Sequence, residues 1–172
     1  YRANLINTID TYDSLLTSSD LIKNFRNGIM HSIPISSNVK ILKHLNWTNS
    51  ISYTERWYTN SISKTYNPET DLIDKDTIYG FIANRNANFT SSINTRLYGM
   101  FTFKKGFIKA VRHVINPSIS FNYTPDFSEP SLGFYDFYTD KEGKRVYYSK
   151  TENGVFGSPP QGASGVISFS LG

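Results

Sequence analysis

Hydrophobic and polar side chains alternate along three long stretches of the chain. At residues 45–64 and 77–104 the odd positions are largely apolar and the even positions are largely polar. The same alternation runs through the second half of residues 108–124. A period of two residues places successive side chains on opposite faces of a β-strand. The pattern therefore predicts three long amphipathic strands.

Shorter elements flank these stretches. Residues 28–36 and 165–171 also alternate and predict two further strands, whereas residues 20–27 fit a short helix with Asp20 as its N-cap and Gly28 after its end. Pro117 lies inside the third long strand and has no N–H group for the ladder, so we expect a bulge or a change of register there.

The length of the predicted strands favours one architecture. Strands of soluble proteins seldom exceed about 10 residues, and the long stretches here reach roughly twice that length. A soluble sandwich would also need turn signals every 8 to 12 residues or so, which the two longest stretches lack. We therefore expect an all-β chain, a segment of an antiparallel transmembrane β-barrel that supplies about five long amphipathic strands. Residues 1–27 would precede the first clear strand, and residues 28–172 would carry the barrel strands.

The connections between the predicted strands differ in length. Residues 104–107 form a tight hairpin, whereas residues 125–164 are rich in Gly and Pro and carry a small hairpin of their own around 140–143. Outer-membrane barrels have short periplasmic turns and long extracellular loops. We therefore expect 125–164 and the 65–76 loop outside the cell, and the turns at 104–107 and 37–44 in the periplasm.

The apolar face carries aromatic side chains at a spacing that suits a membrane. Ten residues separate Trp47 from Trp57, which corresponds to a rise of about 23 to 25 Å along the membrane normal, close to the roughly 25 Å apolar band of such barrels. Asn49 and Glu55 lie on the same predicted face and count against this interpretation. The predicted lipid-facing girdle consists of Trp47, Tyr53, Trp57, Phe81, Phe89 and Phe121.

The polar face would line the interior of the barrel, where a transported substrate passes. Most of its side chains are Ser, Thr and Asn, and two are arginines. A guanidinium group can grip a phosphate through two hydrogen bonds, so these arginines stand out as fixed cations. The predicted lumen-facing path consists of Arg56, Asn86, Asn88, Asn94, Arg96, Ser120 and Asn122.

Composition supports a two-faced sheet and excludes several functions. Aromatic residues make up 15% of the chain, and Ser, Thr and Asn supply 52 of the 172 positions. No apolar run reaches the 18 or so residues of a membrane-spanning helix, and the net charge of +4 is too scattered for nucleic-acid binding. The chain has no Cys, its three His are too far apart for a local metal motif, and no catalytic motif is present. We therefore expect neither an enzyme nor a bound metal or cofactor.

Several local motifs point to one family. They are Asn-Phe-Arg-Asn-Gly-Ile at 24–29, Tyr-Thr-Glu-Arg-Trp-Tyr at 53–58, Thr-Arg-Leu-Tyr-Gly-Met-Phe at 95–101, and Arg-His-Val-Ile-Asn-Pro-Ser at 112–118 with Tyr-Thr-Pro at 123–125. Together they resemble the barrel of the LptD family of lipopolysaccharide-assembly proteins, in its Bacteroidota type. The Arg-His-x-x-x-Pro strand followed by Tyr-x-Pro is the most specific of these motifs.

The resemblance implies a function, a location and partners. It implies a translocon in the cell outer membrane of a Gram-negative bacterium, which receives lipopolysaccharide from the periplasm and inserts it into the outer leaflet. The partners implied are an LptE-like plug lipoprotein, the components of a periplasmic lipopolysaccharide bridge, lipopolysaccharide itself and outer-membrane lipid. The cysteines of the proteobacterial form are absent here, so disulfide-controlled maturation is not expected.

Two other classes of protein fit the same composition. The first is another outer-membrane barrel, such as a porin, a TonB-dependent receptor or a secretion channel. The second is a soluble β-sandwich adhesin or carbohydrate-binding module, whose aromatic residues would form a core or a sugar platform. An upstream signal peptide and jellyroll domain in the full-length gene would favour the translocon.

Overall fold

The computed structural model describes residues 1–9 and 25–172, and these residues are almost entirely antiparallel β-structure. The all-β prediction is therefore confirmed. A single turn of 3-10 helix at Pro130–Leu132 interrupts the strands. The strands of the described residues are β1 (Arg2–Ile9), β2 (Phe25–Ile41), β3 (Leu45–Asn67), β4 (Leu72–Thr95), β5 (Leu97–Thr102), β6 (Ala110–Ile115), β7 (Pro117–Thr124), β8 (Tyr135–Thr139), β9 (Arg145–Ser149) and β10 (Ser164–Leu171).

Six strands form one large sheet in the order β1-β2-β3-β4-β7-β10. The pairs β1–β2, β4–β7 and β7–β10 are antiparallel, and tight turns join β2 to β3 and β3 to β4. Two smaller hairpins, β5–β6 and β8–β9, stand as separate two-stranded sheets. The β8–β9 hairpin is the one predicted around 140–143, and the Asp140 side chain accepts hydrogen bonds from two N–H groups of its turn.

The long strands exceed their predicted length. β3 has 23 residues and β4 has 24, so only residues 68–71 connect them. The predicted 65–76 loop is therefore wrong, because the alternating pattern continues as paired strand beyond the polar residues that suggested a loop. The turn between β2 and β3 is also short, at residues 42–44. Of the three connections just compared, β2 to β3, β3 to β4 and β7 to β10, the last is therefore the long one.

The beginning of the chain holds a strand that the sequence did not predict. β1 pairs with β2 along its whole length, from Arg2 opposite Ser32 to Ile9 opposite Phe25. Of the predicted helix at 20–27, residues 20–24 lie outside the described residues, and 25–27 belong to β2. For residues 25–27, pairing with β1 outweighs the local pattern that predicted a helix. The division of the chain at residue 27 stays a prediction.

Pro117 interrupts the third long strand without shifting its register. The chain breaks into β6 and β7 at Asn116, and its partner breaks into β4 and β5 at Arg96. Asn94 pairs with Ser118 before the break and Leu97 pairs with Ile115 after it, so both sides share one register. The expected bulge or register change is therefore wrong. The ladder is interrupted because proline has no N–H group to donate.

The chain divides into two compact units. The first contains the described part of residues 1–33 together with 53–87 and 125–163, and the second contains 34–52, 88–124 and 164–172. β2, β3 and β4 each contribute residues to both units. Segment 125–163, which holds the β8–β9 hairpin, belongs wholly to the first unit and is called the covering segment below.

The hydrophobic core is small and lies in the first unit. Among the described residues, the buried hydrophobic side chains are Tyr58 and Ile62 of β3, with Phe134 and Tyr148 of the covering segment. Large apolar side chains elsewhere are open to the surroundings, including Phe81 at 72% exposure and Phe169 at 77%. The sheet therefore keeps an extended apolar face that no other described element covers.

Tyr58 is the centre of this core. It is 2% exposed, and its hydroxyl donates to the Gly157 carbonyl at 2.8 Å. Two glycines make room for its ring, because a Cβ at Gly28 would come within 2.9 Å of a ring carbon and a Cβ at Gly154 within 2.6 Å. The covering segment therefore approaches β3 as closely as it does only because residue 154 has no side chain.

Replacing Gly154 by Ala should destabilise the first unit by about 1 to 3 kcal/mol, the usual cost of forcing extra atoms into a packed core. The matched control is Gly165→Ala, where the new Cβ would meet Phe121 and Tyr123 at 3.9 to 4.0 Å. Urea unfolding of the full-length protein in detergent measures both variants. Equal stability of the two variants would contradict the packing described for Tyr58.

Candidate functional site

The candidate site is the polar face of β2, β3 and β4 where the covering segment lies on it. Side chains at even positions of β3 and β4 share this face because successive residues of a strand point to opposite sides. The segment reaches all three strands, through Arg26 of β2, Arg56 and Tyr58 of β3, and Asn84 of β4. These contacts form a continuous polar interface within the first unit.

Arg56 is engaged on two sides. Its Nε donates to the Phe156 carbonyl of the covering segment at 3.1 Å, and its Nη1 donates to Asn86 Oδ1 at 2.6 Å. The structure therefore brings together two residues of the predicted lumen-facing path. It also places the partly buried Arg56 side chain against the covering segment.

Asn84 is the most deeply buried polar residue of the interface. It is fully buried, and its Nδ2 donates to Thr151 Oγ1 at 2.6 Å. Thr151 in turn lies 3.4 Å from the Ser149 hydroxyl, and both hydroxyl residues are buried. The sequence placed Asn84 on the polar face but gave no reason to separate it from its neighbours, because only the fold of the segment buries it.

A charged cluster joins the same segment to β3 and β4. Glu152 forms ion pairs with Lys64 at 2.6 Å and with Lys75 at 3.1 Å. Burial alone would raise the pKa of the Glu152 carboxyl, but hydrogen bonds and the positive charges of the two lysines lower it below its usual value. The carboxylate is therefore ionised at neutral pH and holds the two strands to the segment.

The second unit brings together most of the other predicted path residues. Asn88 bonds Thr124 at 3.0 Å, and Asn94 bonds Asn46 at 3.1 Å. Ser120 lies opposite Ser92 of β4 and Ser168 of β10. The Thr90 hydroxyl links two path residues, because it lies 3.2 Å from Asn88 Oδ1 and 3.3 Å from Asn122 Oδ1.

Arg96 differs from Arg56 because it borders open space. Its Nε donates to Asn116 Oδ1 at 3.0 Å, at the point where Pro117 interrupts the ladder. A cavity of about 480 Å³ opens beside it. The other residues around this cavity are Asn46, Asn94, Thr95, Asn116 and Ser118. The arrangement offers one cation among neutral hydrogen-bonding groups.

The predicted girdle residues lie on the opposite, apolar face. Trp57 packs edge-on against Phe81 with ring centroids 5.9 Å apart, and Phe89 packs against Phe121 at 6.5 Å. Trp47 donates from its indole N–H to Ser91 Oγ at 2.9 Å. These contacts place the residues together on one side of the sheet, and their contact with lipid stays a prediction.

Glu55, which counted against an apolar face, has aromatic partners there. Its carboxylate accepts a hydrogen bond from the Trp57 indole at 2.7 Å and another from the Tyr53 hydroxyl at 2.7 Å. Glu55 is two positions from each of these residues on β3, so the acid bridges its neighbours along one face. The alternation of the strand thus accommodates a charge beside two amphipathic rings.

Asp126 closes the base of the covering segment. Its Oδ1 accepts hydrogen bonds from the Ser128 hydroxyl at 2.6 Å, from the Ser128 N–H at 2.8 Å and from the Gly162 N–H at 2.9 Å. These bonds lower the pKa of Asp126, with the Ser128 hydroxyl making the largest contribution. One carboxylate therefore ties the first residues of the segment to its last.

Other kinds of site find no support in the described residues. None of their His, Asp and Glu residues form a group of three or more that could hold a metal ion. Within the same residues, no helix is long and apolar enough to cross a membrane.

The chain matches a known protein family. A protein-family model described as LptD protein matches residues 1–172. Neither the curated proteins nor the solved structures contain a significant match to the chain.

The closure at Asp126 should depend on pH. Because its pKa is lower in the folded protein than the usual value of about 3.9, its stabilising effect is complete above that value and is lost as the pH falls through the folded pKa. Hydrogen exchange of the peptide containing Gly162, corrected for the intrinsic rate at each pH, should therefore rise in this acid range.

The Asp126→Asn variant should exchange faster already at neutral pH and lose most of the acid dependence. Glu129→Gln serves as the control, because Glu129 is exposed and its carboxylate accepts a hydrogen bond from the nearby Ser131 hydroxyl. Unchanged exchange at Gly162 in the Asp126 variant would show that the carboxylate does not close the segment.

Proposed function

The chain belongs to the LptD protein family, since the family match covers all of its 172 residues, and from this membership we propose that it forms part of the wall of an outer-membrane translocon. The translocon receives lipopolysaccharide from the periplasm and inserts it into the outer leaflet. Family membership supports a general role in lipopolysaccharide transport at the outer membrane.

The observation that carries the proposal is the two-faced sheet. One face is apolar and open, with side chains such as Phe81 and Phe169 more than two-thirds exposed. The other face is polar, and its Asn and Thr side chains bond to one another across strands. A sheet between lipid and a water-filled lumen needs this division, because lipid solvates the first face and water the second.

The same observation disfavours a soluble sandwich. A sandwich buries the apolar faces of its sheets against each other. Here the buried hydrophobic side chains of the described residues lie in the core around Tyr58, on the polar side of β3 and in the covering segment. β1 and β10 also form the two edges of the large sheet, where further strands of a longer barrel would pair.

The polar path suits an anionic glycolipid. Lipopolysaccharide carries phosphate or carboxylate groups near its lipid, and Arg96 offers a guanidinium beside an open cavity of about 480 Å³. Neutral side chains around it can bond sugar hydroxyls without trapping the substrate. Arg56 would join this path only when the covering segment is displaced.

The proposed partners follow from the family. They are an LptE-like plug lipoprotein inside the barrel, bridge components that deliver lipopolysaccharide from the periplasm, and the lipid of the outer membrane. The proposed location is the outer membrane of a bacterium of the Bacteroidota type.

Depletion of the full-length protein in its own organism tests the transport role. Newly made lipopolysaccharide should then fail to reach the cell surface, because no other route would carry it across the periplasm into the outer leaflet. Pulse labelling followed by a surface-specific reagent measures delivery, and expression of the wild-type protein should restore it. Normal delivery after complete depletion would contradict the proposal.

A charge series at Arg96 tests the polar path. Arg96→Glu should slow surface delivery of lipopolysaccharide, because it repels the anionic groups, whereas Arg96→Lys should preserve most of it. The amount of folded barrel, followed by heat-modifiable mobility, should be similar in both variants, since lumen substitutions tune selectivity more than stability. Equal delivery by two well-folded variants would remove Arg96 from the path.

A further inference from the structure

The β5–β6 hairpin of the second unit differs from the strand that leads into it. On β4 the even positions from 86 to 94 carry only Asn, Thr and Ser, which belong to the polar face. After the interruption opposite Pro117, the even positions of β5 instead include Tyr98 and Met100, while the odd positions include Phe101. Neither face of the hairpin is therefore the row of small polar side chains that would border a water-filled lumen.

Large apolar side chains of this hairpin are exposed on both of its faces. Met100 and Phe101 are consecutive and point to opposite sides of β5, and they are 68% and 64% exposed. Their exposed apolar neighbours are Tyr98 and Val114 on the Met100 side, and Leu97 and Val111 on the Phe101 side. A protein docked on one side would leave the other side open to water, whereas lipid can cover both.

The tip of the hairpin combines aromatic and basic side chains. The Phe103 N–H donates to the Lys109 carbonyl at 2.9 Å and closes the tip, where Phe107 is 95% exposed. Lys104, Lys105 and Lys109 are exposed as well, and the ion pairs found among the described residues do not involve them. Aromatic rings beside lysines are typical of segments that enter the boundary between lipid headgroups and acyl chains.

The charged side chains of the second unit all have one sign. Its residues 34–52, 88–124 and 164–172 contain no Asp or Glu, so all 14 acidic residues of the chain lie elsewhere. More than half of its basic residues belong to the β5–β6 hairpin. The positive charge favours an anionic partner, and at a membrane surface the anionic groups are those of lipid headgroups. The basic residues of the unit are Lys40, Lys43, Arg96, Lys104, Lys105, Lys109 and Arg112.

We propose that the β5–β6 hairpin is a membrane anchor, which lies among the headgroups of an anionic phospholipid leaflet beside the barrel. This inference rests on the proposed function, because an outer-membrane barrel brings the hairpin to lipid. The sidedness expected from the loop lengths puts the 104–107 turn in the periplasm, so the leaflet is the inner one. The lysines of the tip then bind lipid phosphates, and the apolar side chains of both faces reach the acyl boundary.

The first experiment compares two pairs of consecutive residues in the full-length protein, reconstituted in bilayers of phosphatidylcholine and phosphatidylglycerol in equal parts. Met100→Cys and Phe101→Cys sample the two faces of the hairpin, and Ser92→Cys and Ile93→Cys sample the two faces of β4. Each single cysteine carries a bimane fluorophore, which lipids with a nitroxide near the headgroup quench on contact. We expect quenching at Met100, Phe101 and Ile93, and several-fold less at Ser92.

The four positions separate the alternatives. Quenching at Phe101 but not at Met100 would make the hairpin an ordinary part of the barrel wall and overturn the proposal. Quenching at Ile93 alone would place the hairpin in water or against protein, which also overturns it. Absence of quenching at all four positions overturns both the anchor and the barrel, whereas quenching at Met100 and Phe101 but not at Ile93 contradicts the barrel and supports the lipid contact of the hairpin.

The second experiment tests the role of charge. Quenching of the Met100→Cys label should be several-fold stronger in the bilayer with phosphatidylglycerol than in phosphatidylcholine alone. Lys104→Gln combined with Lys105→Gln should remove this difference. Lys141→Gln combined with Lys144→Gln takes the same charge from the exposed turn of the β8–β9 hairpin and should leave the difference unchanged. Equal quenching in the two bilayers without any lysine substitution overturns the proposal.

A measurement without lysine substitutions guards against misfolding, which heat-modifiable mobility detects. High salt screens exposed charges, so it should lower the quenching in the anionic bilayer toward the neutral level. Quenching that stays complete at high salt would show that charge does not hold the hairpin, and would overturn the proposal. Failure of the transport role alone would appear as normal lipopolysaccharide delivery after depletion, with the bilayer measurements unchanged.

Discussion

The structure depends on the alternation of side chains along β3 and β4. Every second residue of these strands faces the same side, so one uninterrupted run of more than 20 residues creates both an apolar and a polar surface. The aromatic contacts of Trp57 and Phe89 on one face and the amide contacts of Asn88 and Asn94 on the other follow this alternation. A single inserted residue would exchange the two surfaces beyond the insertion.

Local pattern was enough to predict the long strands and the hairpin at 140–143. In each case the signal and the structure lie within the same short stretch of chain. β1 was missed because its sequence alternates weakly, and it is stabilised as a strand by pairing with β2. The connection between β3 and β4 was predicted too long, at 65–76 instead of 68–71, because polar residues that end a strand in one protein continue it in another, and the partner strand decides which happens.

The candidate site shows the same division between local and distant information. The sequence predicts that Arg56 and Asn86 face the same side of the sheet, since both lie at even positions, and their side chains meet on that face. The burial of Asn84 was not, since Thr151 lies 67 residues further along the chain. A loop rich in Gly, Pro and charged residues has the same composition whether it extends into solvent or packs against a polar wall, so composition could not place the covering segment.

The contacts of the covering segment also constrain the order in which the protein can assemble. Arg26 and Asn153 are 127 residues apart in the chain, so the segment can dock only after β2, β3 and β4 have been brought into register. Contacts that close such long loops form late, because the entropy of closure precedes any gain from the contact. Docking of the covering segment would then follow the pairing of these three strands, and the polar face of the first unit would stay uncovered until that last step.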